Sequence, residues 1–158
     1  MNKPNVLFVT EAWYAGDPKF GPTNSEHYLF GSFKRTYPDS SFNVLHYDES
    51  LVKHNIHVDK ILPRVVETYK PDIIFVQLLM GQTAVNPSVE ILRSLKDKGY
   101  FVCIMWPDLQ RAFGQNELKT YMTSANLHVS FGCERNIDNS EIPIEWMWTP
   151  QDSKLYHP

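Results

Sequence analysis

Short apolar runs alternate along this chain with longer stretches whose apolar residues recur at helical spacing. Three runs are continuous: Val6-Leu7-Phe8-Val9, Ile73-Ile74-Phe75-Val76 and Phe101-Val102-Cys103-Ile104-Met105. A run without alternation fits a strand covered on both faces, as in a parallel sheet between helices. Three mixed runs extend the set: Phe42 to Tyr47, Leu127 to Phe131 and Ile144 to Trp148. The last alternates apolar and polar, the pattern of a half-exposed edge strand.

Helical patterns lie between the strands. Thr23-Asn24-Ser25-Glu26 has the form of a capping box, with Thr23 as N-cap and Glu26 reaching back. Leu29, Phe30, Phe33 and Tyr37 then form one stripe, which Pro38 ends. Ile61, Leu62, Val65, Val66 and Tyr69 predict a second helix with Pro63 in its first turn. Asn86 as N-cap and Pro87 at the first helical position predict a third, with Ile91, Leu92 and Leu95 facing inward and Gly99 closing it. A shorter helix is predicted near Glu117 to Ser124. The order β-α-β-α-β-α-β-α-β, followed by one more strand, predicts an α/β protein: a three-layer, Rossmann-like, doubly wound parallel sheet. Right-handed crossovers are expected to set the first strand beside the fourth, where the strand order reverses.

A chain of 158 residues fits one domain with a full core. The net charge of −3 argues against a nucleic-acid polymer as partner, because that footprint needs clustered Lys and Arg. Two cysteines give no disulfide framework, so a reduced, cytoplasmic setting is expected. Val6 to Val9 is too short for the core of a signal peptide, and no apolar stretch reaches the ~20 residues a membrane-spanning helix needs. Thr149 to Pro158 reads as a polar, proline-bounded linker toward a further domain, leaving residues 1–148 as the folded unit.

Ligands of open α/β sheets bind beyond the carboxyl ends of the strands, at the switch point. The loops Glu11 to Pro22 and Trp106 to Arg111 are expected to meet there, with the Gln77 to Val85 loop and its Gly81 alongside. Known signatures are missing: there is no G-x-G-x-x-G, no P-loop and no D-x-D. No cofactor is therefore expected. Asp48 and Glu49 read as turn residues. His54 and His57 lack a third ligand nearby in sequence, so no metal is expected. The helix start at Thr23, Asn24 and Ser25 offers backbone N–H groups to an anion, or is simply a capped helix. His27, one turn in, is a ligand donor or a solvated side chain. Asp108 is either a proton acceptor for a substrate hydroxyl or a turn residue after Pro107. Arg111 pairs with Asp108 or with an anionic ligand, or is solvated. Trp13, Tyr14, Phe20 and Trp106 are expected around the same mouth, where flat rings suit sugars or bases, or else anchor loops.

Three stretches resemble the N-terminal half of a GT-B glycosyltransferase of the family-4-like and spore-maturation type. They are Val6 to Thr10 with Gly21 before the first helix; Lys70-Pro71-Asp72 through Asn86-Pro87 and Gly99 to Asp108; and the tail Asp152, Tyr156, Pro158. Many relatives carry a His near the end of the fourth strand, where this chain has Trp106-Pro107. Glycines usual before the linker Asp are replaced by Thr149-Pro150-Gln151. The resemblance implies an acceptor-binding domain, with the nucleotide-sugar donor held by a second domain, and makes Asp108 the acceptor-side catalytic candidate. A half separated from its partner is expected to expose an apolar patch around Trp13 and Trp106, through which two copies can pair.

Overall fold

The computed structural model describes residues 3–79, 84–106, 112–131 and 144–147. Six parallel strands form one sheet: β1 (Val6–Thr10), β2 (Phe42–His46), β3 (Ile73–Gln77), β4 (Phe101–Trp106), β5 (Leu127–Phe131) and β6 (Ile144–Met147). Their order is β2-β1-β3-β4-β5-β6. β1 therefore lies between β2 and β3, in register Phe8 with Val44 on one side and Phe8 with Phe75 on the other. The expected pairing of the first strand with the fourth is wrong. Only one strand is added on the far side of β1 before the chain crosses back, so the third strand takes the adjacent place. The order still reverses at β1, which moves the switch point to the β1/β3 boundary.

The helices are α1 (Ser32–Thr36), α2 (Tyr47–His54), α3 (Leu62–Tyr69), α4 (Val89–Asp97) and α5 (Ala112–Tyr121). Successive strand residues point to opposite faces of the sheet and build two cores. Leu7, Val9, Ile74, Val76, Val102 and Ile104 meet Tyr47 of α2, Leu62 and Val66 of α3, Leu92 and Leu95 of α4, and Leu118 and Tyr121 of α5. On the opposite face Val6, Phe8, Cys103, Met105 and Val129 meet Leu29 and Phe30. Phe8 sits at the centre of that second core, with Phe30, Phe33, Phe42 and Phe75 all edge-on to it at 5.1–5.8 Å between ring centroids. An apolar groove of about 350 Å³ runs beside α1, lined by Val6, Phe8, Phe33, Ile73 and Phe75 among others. Cys103 is a free thiol, buried as expected, and burial pushes its pKa up to about 12.

Local chemistry departs from the sequence reading in three places. The helix before α1 opens as a π-helical segment, Glu26–Gly31, with Ser25 and not Thr23 at its N-cap, and the Thr23 hydroxyl donates to Glu11. The Glu26 side chain, the other half of the expected box, lies outside the described residues. Ser88, not Asn86, caps α4, its hydroxyl accepting from the Ile91 N–H. Asn86 instead mimics a backbone strand: Leu79 N–H donates to Oδ1 at 2.8 Å, and Nδ2 donates to the Leu79 carbonyl at 2.7 Å. The third is α2, which begins at Tyr47, so Asp48 and Glu49 occupy its first turn. Acids there complement the helix dipole. As expected, Pro63 lies in the first turn of α3, and Gly99, at φ +94°, follows α4 in the left-handed conformation that favours glycine.

Candidate functional site: the β1/β3 switch point

The 12–22 loop leaves β1 and closes on itself. Thr23 N–H donates to the Ala12 carbonyl, Tyr14 N–H donates to the Gly21 carbonyl, and Trp13 bridges to Pro22. Two short 3-10 turns, Tyr14–Gly16 and Pro18–Phe20, fill the space between. Gly21 has φ +82°, which only glycine adopts freely, and this sets the return of the loop. Asn24 Nδ2 donates to the Tyr14 hydroxyl at 2.6 Å and ties the tip to the start of the helix. Gly16 seats the loop against the one after β3. A Cβ there would lie 3.2 Å from Leu79 Cδ1 and 3.6 Å from Asp48 Cβ, and φ is +69°. The β1 and β3 loops therefore meet at the switch point; residues 107–111 of the loop expected to meet the β1 loop lie outside the described residues.

Two acids sit at the base of this loop. Asp48 is fully buried, and its carboxyl oxygens accept from the N–H groups of Ala12 at 2.8 Å, Trp13 at 3.0 Å and Glu49 at 2.9 Å. Those donors are otherwise unprovided for where the chain turns out of the sheet, so Asp48 braces the loop. Glu11 continues β1 directly and is 6% exposed. Its Oε1 accepts from the Thr23 hydroxyl at 3.1 Å, while Oε2 is buried without a partner among the described residues. Burial raises the Glu11 pKa from 4.5 to about 7; the Thr23 hydrogen bond opposes the rise and the Asp48 charge adds to it.

A chain of neutral polar groups links this acid to β3. Thr23 Oγ1 lies 3.2 Å from Ser25 Oγ, Ser25 donates to Gln77 Oε1 at 3.2 Å, and Thr10 donates to the same oxygen at 3.0 Å. Thr10, Ser25 and Gln77 are all buried. Hydroxyls, an amide and a carboxyl thus meet at the carboxyl ends of two adjacent strands, where an α/β sheet places its ligands.

Of the residues selected from sequence, the structure brings Thr23, Asn24, Ser25, Gly21 and Trp13 to this place. Trp13 is half-buried and its ring lies 6.0 Å from Lys53 Nζ. Tyr14 and Phe20 are exposed on the loop. Trp106 does not join them. It is fully buried at the end of β4, its indole N–H donates to His128 Nδ1 at 3.1 Å, and its ring stacks on His128. Any apolar patch around Trp13 therefore excludes Trp106, because burial of the largest side chain outweighs its use at a mouth. Asp108, Arg111, Gly81 and the side chain of His27 lie outside the described residues. His57 accepts from Asp59 N–H and caps a 3-10 turn, and no group of three metal-ligating side chains occurs among the described residues. Sequence reading took Asp48 for a turn residue and passed over Glu11, Thr10 and Gln77 as site residues. Gln77 and Glu11 carried a signal: Gln77 abuts the apolar run Ile73 to Val76, and Glu11 follows Val6 to Val9 after Thr10, each where a buried strand ends. No helix among the described residues is long and apolar enough to cross a membrane. Compared by sequence with family models and with curated proteins, the chain matches none of them.

Proposed function

We propose that residues 1–148 form the acceptor-side domain of a GT-B glycosyltransferase, with residues 149–158 leading to a second domain that binds the nucleotide-sugar donor. The observation that carries this reading is the convergence of the β1 and β3 loops on a polar switch point, the position from which such a sheet faces a partner domain. The Pro71-Asp72 strand, the loop glycine Gly21 and the tail Asp152, Tyr156, Pro158 support it by resemblance. The reaction moves a sugar to an acceptor hydroxyl in the cytoplasm. Asp108, together with the helix start at Thr23, Asn24 and Ser25, His27 and Arg111, faces the acceptor. Transfer requires donor and acceptor in one closed cleft, so residues 1–158 alone are inactive. The test is release of nucleoside diphosphate from a panel of nucleotide sugars by the polypeptide of the native reading frame. Turnover that disappears on truncation to residue 158 supports the proposal. Transfer or nucleotide hydrolysis by residues 1–158 alone, or none by the longer chain with any donor and acceptor extract, overturns it.

A second reading is favoured by one observation. The order β2-β1-β3-β4-β5 is that of flavodoxin-like modules, which bind a small ligand at the same β1/β3 point without a second domain. A binding module predicts ligand affinity in residues 1–158 and no transfer in any longer chain.

A further inference from the structure

We propose that Glu11 is the recognition carboxyl of a binding site beneath the 12–22 loop, and that it accepts a hydrogen bond from a hydroxyl of a polyhydroxylated ligand. Three independent features converge on it. Its Oε2 has no hydrogen-bond partner among the described residues, on a residue only 6% exposed. A buried acceptor left unmade is costly to the fold, a cost that a ligand hydroxyl would remove. The surroundings are themselves built for hydroxyl chemistry: Thr23 already donates to Oε1, and Ser25, Thr10 and Gln77 continue the chain of neutral donors and acceptors. Finally, the position is the carboxyl end of β1 beside β3, with the exposed rings of Tyr14 and Phe20 on the loop above.

The contrast with Asp48 argues against a purely structural acid. Asp48 accepts three N–H groups of the fold. Among the described residues Glu11 accepts from one hydroxyl, and its second oxygen has no partner. The two ends of the 12–22 loop meet where Thr23 N–H donates to the Ala12 carbonyl, so an outward swing about these residues would open the end of β1 to a ligand. The proposal rests on the glycosyltransferase reading only in naming a sugar as the hydroxyl source.

The experiment uses residues 1–158 labelled with 13C at the glutamate carboxyls. The Glu11 resonance, assigned by its loss in Glu11→Gln, is followed through a pH titration. The titration is then repeated with methyl α-glucoside, methyl α-mannoside, methyl β-galactoside and N-acetylglucosamine, each at high millimolar concentration. The expected result is a midpoint near 7 in the free protein, moved downward by at least one of these sugars, because a hydroxyl donating to the carboxylate stabilises its charged form. Thr23→Val, which keeps Glu11 in place, should move the midpoint upward and supplies a second readout if Glu11→Gln fails to fold. A Glu11 resonance that none of the four sugars shifts would overturn the site, as would a midpoint between 4 and 5. The two proposals fail separately. Transfer by the longer polypeptide with an unresponsive Glu11 removes this site alone; a sugar-dependent shift without any nucleotide-sugar chemistry removes the enzyme alone.

Discussion

Asp48 and Glu11 stand at the same loop and are both buried, yet the fold treats them in opposite ways. Asp48 sits in the first turn of α2 with both oxygens engaged by backbone N–H groups. Glu11 follows β1 with one oxygen engaged by a single hydroxyl and the other, among the described residues, by nothing. A carboxyl that satisfies backbone donors removes a cost from the fold, whereas one with an idle buried oxygen adds a cost. Residues that add such a cost concentrate where a ligand or a reaction removes it. The pair thus separates a brace from a candidate site by counting hydrogen bonds, which distance from the strand end alone would not do.

That comparison breaks first at Asp48. Asp48→Ala leaves two part-buried loop N–H groups, of Ala12 and Trp13, without their acceptor and should lower stability by about 2–4 kcal/mol in urea unfolding. A loss below about 1 kcal/mol would show that the loop finds other acceptors and that Asp48 is no brace.

Gly16→Ala comes next. It forces a side chain onto a left-handed backbone and toward Leu79, so the β1 loop should part from the β3 loop at a cost of about 1–2 kcal/mol. Hydrogen exchange should speed up at Tyr14 and Gly21 and remain unchanged in β4 and β5. Uniform acceleration across the sheet would show that the contact supports the whole fold.

Glu11 sharpens the comparison through pH. Its folded pKa is raised, from 4.5 to about 7, so the folded state holds its proton more tightly than the unfolded chain does. The stability linked to this group is fully present below 4.5 and is lost as pH rises to about 7. Glu11→Gln should remove that decline and raise stability at pH 8 by on the order of 1–2 kcal/mol. Parallel pH curves for Glu11→Gln and the parent protein would mean that the carboxyl titrates normally.

The smallest effect belongs to the opposite sheet face. Ser32 lines the apolar groove beside α1 and its hydroxyl is buried without a partner among the described residues. Ser32→Ala should be neutral or stabilise by about 0.5–1 kcal/mol, read as a small rise in Tm. A loss of more than about 1 kcal/mol would assign that hydroxyl a hydrogen bond in solution.

Sequence alone determined the layered architecture. Val6 to Val9, Ile73 to Val76 and Phe101 to Met105 are apolar at consecutive positions, and only strands covered on both faces bury every residue of such a run. Pro63 and Gly99 marked helix ends correctly because their constraints on φ are local. Strand order, by contrast, depends on which crossover each connection takes, and no residue in β1 encodes that its neighbour is β3 instead of β4. Caps were decided by tertiary structure as well. Asn86 had a cap's composition, but Leu79 offered it a complete pair of backbone partners. Trp106 looked like a mouth aromatic until His128, a distant residue in sequence, supplied an acceptor that lets the indole be buried. Asp48 and Glu11 are both acids that follow a strand. Their different environments arise only when α2, the 12–22 loop and β3 come together, because burial and hydrogen-bond partners are properties of the assembled neighbourhood and not of the side chain.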